Sequence, residues 1–150
     1  LKYWDSIKLG GVTFMQVVIF RLNKEQFAVE TSKVQSINDA MKITKVPKAP
    51  AHIKGIINLR GNVISILDIN LLMDVAKQEN NENSEESIII LEMEDELVGI
   101  VVDQVDEVLD LDESTIEKIS DDNRKAYVQG IINFKDKVVT LIDIDKLFSN

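Results

Sequence analysis

Catalysis and metal binding draw on a short set of side chains, and most of that set is missing from this 150-residue chain. There is no cysteine and one histidine, His52. Thiolate chemistry and thiolate metal sites are therefore excluded, and a Ser–His–acid set has a single candidate base. His52 precedes a buried-looking strand, so a packing role is expected for it. Asp103, Asp106 and Glu107 are hard-cation ligands by type. They lack the loop with ligands at alternate positions and a mid-loop glycine that such a site needs. The stretch GIINLRG, Gly55–Gly61, lacks the Lys-Ser/Thr ending of a phosphate loop. No catalytic residue, metal or cofactor is expected. What remains is Arg60, at a turn before Gly61. A guanidinium forks onto carboxylates and is enriched among binding hot spots, so its chemistry is that of an interface anchor.

The elements that position Arg60 occur twice. His52–Met73, HIKGIINLRGNVISILDINLLM, aligns without a gap on Tyr127–Phe148, YVQGIINFKDKVVTLIDIDKLF, with 8 identities in 22 positions. His52 falls on Tyr127 and Arg60 on Lys135. An earlier block, Val17–Ile37, lies on Ile88–Val108 with its apolar positions in step. Two blocks in the same order at nearly the same spacing mark a tandem duplication. Gly55, Asn58, Gly130 and Asn133 occur in both copies and point to the fold, with the asparagines bonding turn backbone. Arg60 and Gly61 belong to the first copy alone and point to function.

Each copy reads as about five short strands rich in Ile and Val. The first three are Val17–Leu22, Phe27–Thr31 and Val34–Ile37, matched by Ile88–Met93, Val98–Val102 and Val105–Leu109. A GII strand and a last strand follow, the latter Val63–Leu67 or Val138–Ile142. Asp68 and Asp143 then stand where they cap a brief helical turn. Pro47 and Pro50 stiffen the approach to the GII strand, and Asn80–Glu86, NNENSEE, reads as the connection between copies. Units this small bury too little surface to be comfortable alone, so two barrels sharing a core are expected. The first repeat is placed at about 15–78 and the second at about 84–148. Residues 1–14, with Trp4, form an arm without an assigned role.

Charge excludes further classes. The net charge is −9, and residues 79–122 hold 17 of the 26 acids against one base, Lys118. Nucleic acid is disfavoured, because phosphate contacts need a basic face and stacking needs aromatics, of which the chain has 5%. No apolar run approaches the roughly 18–20 residues of a membrane span. The absence of cysteine suits a cytoplasmic setting.

Taken together, VVIFRLNKEQFAVE, VQSI, VPKAPAHIKGIINLRGNVISILDI, GIVVDQVDEV and GIINFKDKVVTLIDIDKL resemble the chemotaxis coupling protein family, CheW. The similarity runs from about Met15 to Phe148. The resemblance implies an all-β fold of two intertwined five-stranded SH3-like β-barrels with short helical turns, with 15–150 as the CheW-like domain. It also implies a non-enzymatic adaptor joining the cytoplasmic tip of methyl-accepting chemoreceptors to the regulatory domain of the histidine kinase CheA. The same fold serving as a scaffold in another signalling protein or pathway is the alternative. The family's functional stretch maps onto Val34, Gly55, Asn58, Leu59, Arg60 and Gly61. Val34, Ile37, Val102 and Val105 alternate about the kinked strands; most are expected in the core, and those edging a groove would meet a receptor helix. The chain departs from the family at Ser36, where members commonly carry a Glu that can partner the Arg. The second copy keeps an acid there, Glu107, facing a Lys rather than an Arg.

Overall fold

The computed structural model describes residues 6–77, 85–119 and 125–149. Trp4 and most of NNENSEE lie outside them. The first half forms β1 (Ser6–Leu9), β2 (Val12–Leu22), β3 (Glu25–Glu30), β4 (Val34–Asp39), β5 (Ile53–Leu59), β6 (Asn62–Leu67) and helix α1 (Ile69–Met73). The second half repeats this series from β2 onward. It comprises β7 (Ser87–Met93), β8 (Glu96–Val102), β9 (Gln104–Asp112), β10 (Val128–Phe134), β11 (Lys137–Ile142) and helix α2 (Ile144–Phe148).

The halves exchange strands rather than fold side by side. One sheet runs β9-β2-β3-β11-β10, with β1 paired along the N-terminal part of β2. The other runs β4-β7-β8-β6-β5. Each main ring thus takes two strands from one half and three from the other. The exchange leaves two parallel seams, β3 with β11 and β6 with β8, among otherwise antiparallel pairs. Each sheet also closes on itself. Thr44, beyond β4, exchanges bonds of 2.9 and 2.8 Å with Ile56 of β5, and Glu117, beyond β9, does the same with Ile131 of β10.

The closure explains the duplicated GII. A Cβ on Gly55 would lie 2.5 Å from the Thr44 carbonyl oxygen, and one on Gly130 would lie 2.5 Å from Ile116 Cγ2 and 3.0 Å from the Glu117 oxygen. No side chain fits under the closing segment, so both copies keep glycine.

Strand alternation builds three cores. Met15, Val17 and Ile19 of β2 fill one barrel with Val139 and Leu141. Ile88 and Ile90 of β7 fill the other with Ile57, Ile64 and Ile66. The intervening Val18, Phe20 and Leu22 of β2, with Ile89 and Leu91 of β7, turn the other way into a central core drawn from both halves. Phe20 and Phe27 stack there with centroids 6.0 Å apart. Both faces of β2 and β7 are buried, which is why VVIF and IIIL are continuous apolar runs rather than alternating ones. Each such side chain contributes about 1.5–3 kcal/mol on burial.

The two helical turns start where the sequence places them. Asp68 Oδ1 accepts from Leu71 N at 3.1 Å, and Asp143 Oδ1 accepts from Lys146 N at 3.2 Å. Their helices tuck Ile69, Met73, Ile144 and Leu147 into the central core. Asp143→Ala is expected to cost about 1 kcal/mol in denaturant unfolding, with an unchanged m-value. Lys33, between β3 and β4, joins Asp145 of α2 at 2.7 Å. The hydrogen bond to Asp145, then the charges of Asp145, Asp143 and Glu30, raise the Lys33 pKa above 10.5 against the opposing effect of burial. A raised lysine pKa adds stability that is complete below 10.5 and lost as pH climbs through the folded-state value. The pair is part-exposed, so Lys33→Met is expected to cost under about 1 kcal/mol at pH 7, and the difference from the parent to vanish in strong alkali.

Candidate functional site

Arg60 is held out from the end of a barrel by a tight hairpin. Leu59 of β5 pairs with Asn62 of β6, leaving a two-residue turn of Arg60 (φ 53°) and Gly61 (φ 84°). Two positive φ values are the pattern of the type I′ turn, which suits the twist of a hairpin. Asn58 Oδ1 accepts from Gly61 N at 3.0 Å and fixes the turn. The exposed Arg60 side chain rims a concavity of about 280 Å3 whose other walls include Ser36, Leu59, Ile64 and Leu97.

The duplicated hairpin shows what is unusual here. Its turn residues, Lys135 (φ 49°) and Asp136 (φ 61°), adopt the same backbone, so Gly61 serves turn geometry that the second copy achieves without glycine. Lys135 Nζ lies 3.8 Å from Glu107 Oε2 and 4.9 Å from the Phe134 ring centroid. Beside it, Asp106 takes Arg21 at 3.2 Å and Gln26 Nε2 at 2.6 Å. Those two acids correspond to Ser36 and Gln35 of the first copy. Ser36 Oγ donates to Gln35 at 3.4 Å and accepts from Asn38 at 3.0 Å, and it offers no charge. Among the described residues, no carboxylate lies within ion-pair distance of Arg60. One barrel end sets its turn cation beside Glu107; the other leaves a guanidinium without a carboxylate among the described residues, beside apolar Leu59 and Leu97. Asn133, the partner of Asn58 in the repeat, donates to Glu117 at 3.2 Å.

The remaining residues expected at a partner surface divide by strand phase. Ile37 is 41% exposed. Val34 (4%) and Val102 (0%) sit in the central core, against which Val105 also packs. Gly55 is buried beneath Thr44. Val34, Val102 and Gly55 are therefore out of a partner's direct reach and act through the fold. Val63, outside the residues expected at that surface, is 68% exposed on the strand opposite Asn58, and its repeat counterpart Val138 is 62% exposed. The signal was present: in NVISIL the inward phase belongs to Ile64 and Ile66, which puts Val63 outside. His52 also differs from expectation. It stands just before β5, its side chain is exposed, and only its carbonyl is engaged, by Asp68 N at 2.8 Å.

Nothing in this arrangement resembles a reaction centre. No group of three His, Asp or Glu side chains among the described residues is placed to hold a metal ion. No helix among them is long and apolar enough to cross a membrane.

A family model, the CheW-like domain, matches residues 16–150. The chain belongs to this family. It is 33% identical over 150 residues to the chemotaxis protein CheW of Klebsiella aerogenes, covering 95% of this chain and 87% of that one. The Bacillus subtilis chemotaxis protein CheW is 29% identical, covering 85% and 83%. The crystal structure of the scaffolding protein TtCheW from Thermoanaerobacter tengcongensis superposes with a TM-score of 0.79 at 32% identity, over 90% of this chain and 88% of that one. The paired, strand-exchanged barrels implied by the resemblance are those observed. The CheW family is one of chemotaxis scaffolding proteins, a role that calls for binding surfaces and not for a catalytic centre.

Proposed function

We propose that the protein is a non-enzymatic adaptor that couples chemoreceptors to a CheA-type histidine kinase in the cytoplasm. Family membership supports the pathway, and the free Arg60 beside Ser36 is the observation that carries the mechanism. A guanidinium whose counterpart in the other barrel has an acid beside it, while it has none itself among the described residues, is poised for a partner's carboxylate, and Leu59 and Leu97 beside it supply apolar contact. Ile37 and Val63 are further exposed apolar side chains in the same half. Affinity from such a site comes from desolvating one well-placed charge among packed apolar groups, the usual anatomy of a hot spot.

Reconstitution tests the reading. Receptor-bearing membranes, the kinase and this protein are mixed in all pairwise and triple combinations, and kinase autophosphorylation is followed. The rate is expected to rise several-fold only in the triple mixture and to fall when the receptor's attractant is added. A kinase rate indifferent to the protein, with all three components folded, contradicts the coupling role.

A further inference from the structure

Strand β8 carries two surfaces back to back. Leu97 packs into its barrel and lines the Arg60 concavity. Its neighbours Glu96 and Val98 line a separate cleft of about 620 Å3 on the barrel's outer side. The floor of that cleft includes Met93, Val98 and Phe148, which pack on the central core while Met93 and Phe148 stay half-buried. Its rim carries Glu94, Asp95, Glu96 and Asp145 with His52, and among the described residues neither Lys nor Arg lines it.

The other half of the fold provides an internal comparison. Glu94, Asp95 and Glu96 correspond to Asn23, Lys24 and Glu25. The cleft along that parallel seam, about 590 Å3, is lined by Arg21, Lys24 and Lys137 with one acid, Glu25. The same fold thus accepts a lysine in place of Asp95 and a neutral residue in place of Glu94 at the matching turn, so those acids of the second cleft are not a requirement of the fold. The rim also already takes an ammonium, since Lys33 Nζ sits 2.7 Å from Asp145 Oδ2. Among the described residues, Glu94, Asp95 and Glu96 have no cation within ion-pair distance.

We propose that this cleft docks a basic amphipathic segment of a partner protein, a stretch in which lysines or arginines flank an apolar side chain. The apolar group covers Met93 and Phe148, and the cations meet Glu94, Asp95 and Glu96. Charge complementarity selects this occupant. The basic cleft of a second copy is a poorer one, because two concave surfaces cannot fill each other. The two faces of β8 then sort partners by charge, carboxylates to the Arg60 side and cations to this one.

The test uses the full chain and a fluorescein-labelled peptide in which lysines alternate with leucines, with a twin carrying glutamates for the lysines. Anisotropy reports affinity, and amide chemical shifts report the site. The lysine peptide is expected to bind and to shift residues Met93–Val98 and Phe148, whereas the glutamate twin does not bind. Glu94→Lys with Glu96→Lys weakens binding by about tenfold or more, and Phe148→Ala weakens it with the charges intact. Asp110→Lys with Glu113→Lys makes the same charge change elsewhere and leaves affinity within about twofold. Equal losses in both double variants, shifts confined to other acidic strands, or no binding overturn the proposal. So does a dimer of the parent that the Glu94/Glu96 variant abolishes, which would give the cleft to a second copy.

Discussion

Replacing Arg60 by Glu is expected to raise the Kd of one partner complex about 30-fold, roughly 2 kcal/mol, and to leave the other complex within about threefold. Lys135→Glu is expected to change the affected complex by less than about threefold. The two residues share turn geometry and position in the repeat. They differ in company: Lys135 has Glu107 at 3.8 Å, whereas Arg60 faces Ser36. Both substitutions reverse one exposed charge at a turn, but Lys135→Glu also sets a carboxylate beside Glu107. It is therefore expected to cost slightly more stability, under about 1 kcal/mol, while the loss of binding falls on Arg60→Glu. Calorimetric titration against the kinase regulatory domain and against a receptor-tip fragment checks this. It also assigns the Arg60 face to one partner. Equal losses for Arg60→Glu and Lys135→Glu would show that the two turns have not diverged in role.

The largest loss of stability is expected at the barrel closure. Gly55→Val places carbon where the Thr44 carbonyl lies 2.5 Å from the Cβ position, with Ile43 Cγ2 at 2.6 Å. The closing bonds between Thr44 and Ile56 must lengthen or break, and a β-branched side chain cannot turn aside. A loss of about 3 kcal/mol follows, lowering Tm by about 10 °C for a chain of this size. Gly61→Ala separates sterics from conformation. Nothing lies within 4 Å of its Cβ position, but φ is +84°, so the cost is the left-handed backbone alone, about 1 kcal/mol. Calorimetric melts of the two variants decide it. Gly55→Val melting at or above Gly61→Ala would contradict the closure argument.

Much of this structure was legible before it was seen, for definable reasons. The duplication fixed element order, because apolar phase and glycine position recur at the same spacing. Asp68 and Asp143 announced their helical turns by type and place. The strand exchange itself followed only from the family resemblance. A VVIF run says that both faces of a strand are covered, but not that the cover comes from the other half of the chain. The surface valines were the weakest part. The 3-10 turn Thr31–Lys33 resets the alternation before β4, so Val34 points inward while Ile37 does not, and Val102 ends β8 on its buried phase, ahead of the bend at Asp103. His52 stands just before β5, as its place in the sequence indicated, but outside the strand its side chain is exposed rather than packed. The short strand β1 and its Gly10–Gly11 turn give too brief a pattern to register. Ser36 was the informative departure. It was visible by laying one half of the chain on the other, and its consequence, a cation without an internal partner, became visible in three dimensions.

The central claim is adaptor function through protein contacts. Its most direct test is titration calorimetry of the protein against the regulatory domain of a CheA-type kinase from the same organism, at low and moderate salt. The account predicts saturable binding with one-to-one stoichiometry. Folded protein that gives no heat and no binding at either salt concentration would contradict it.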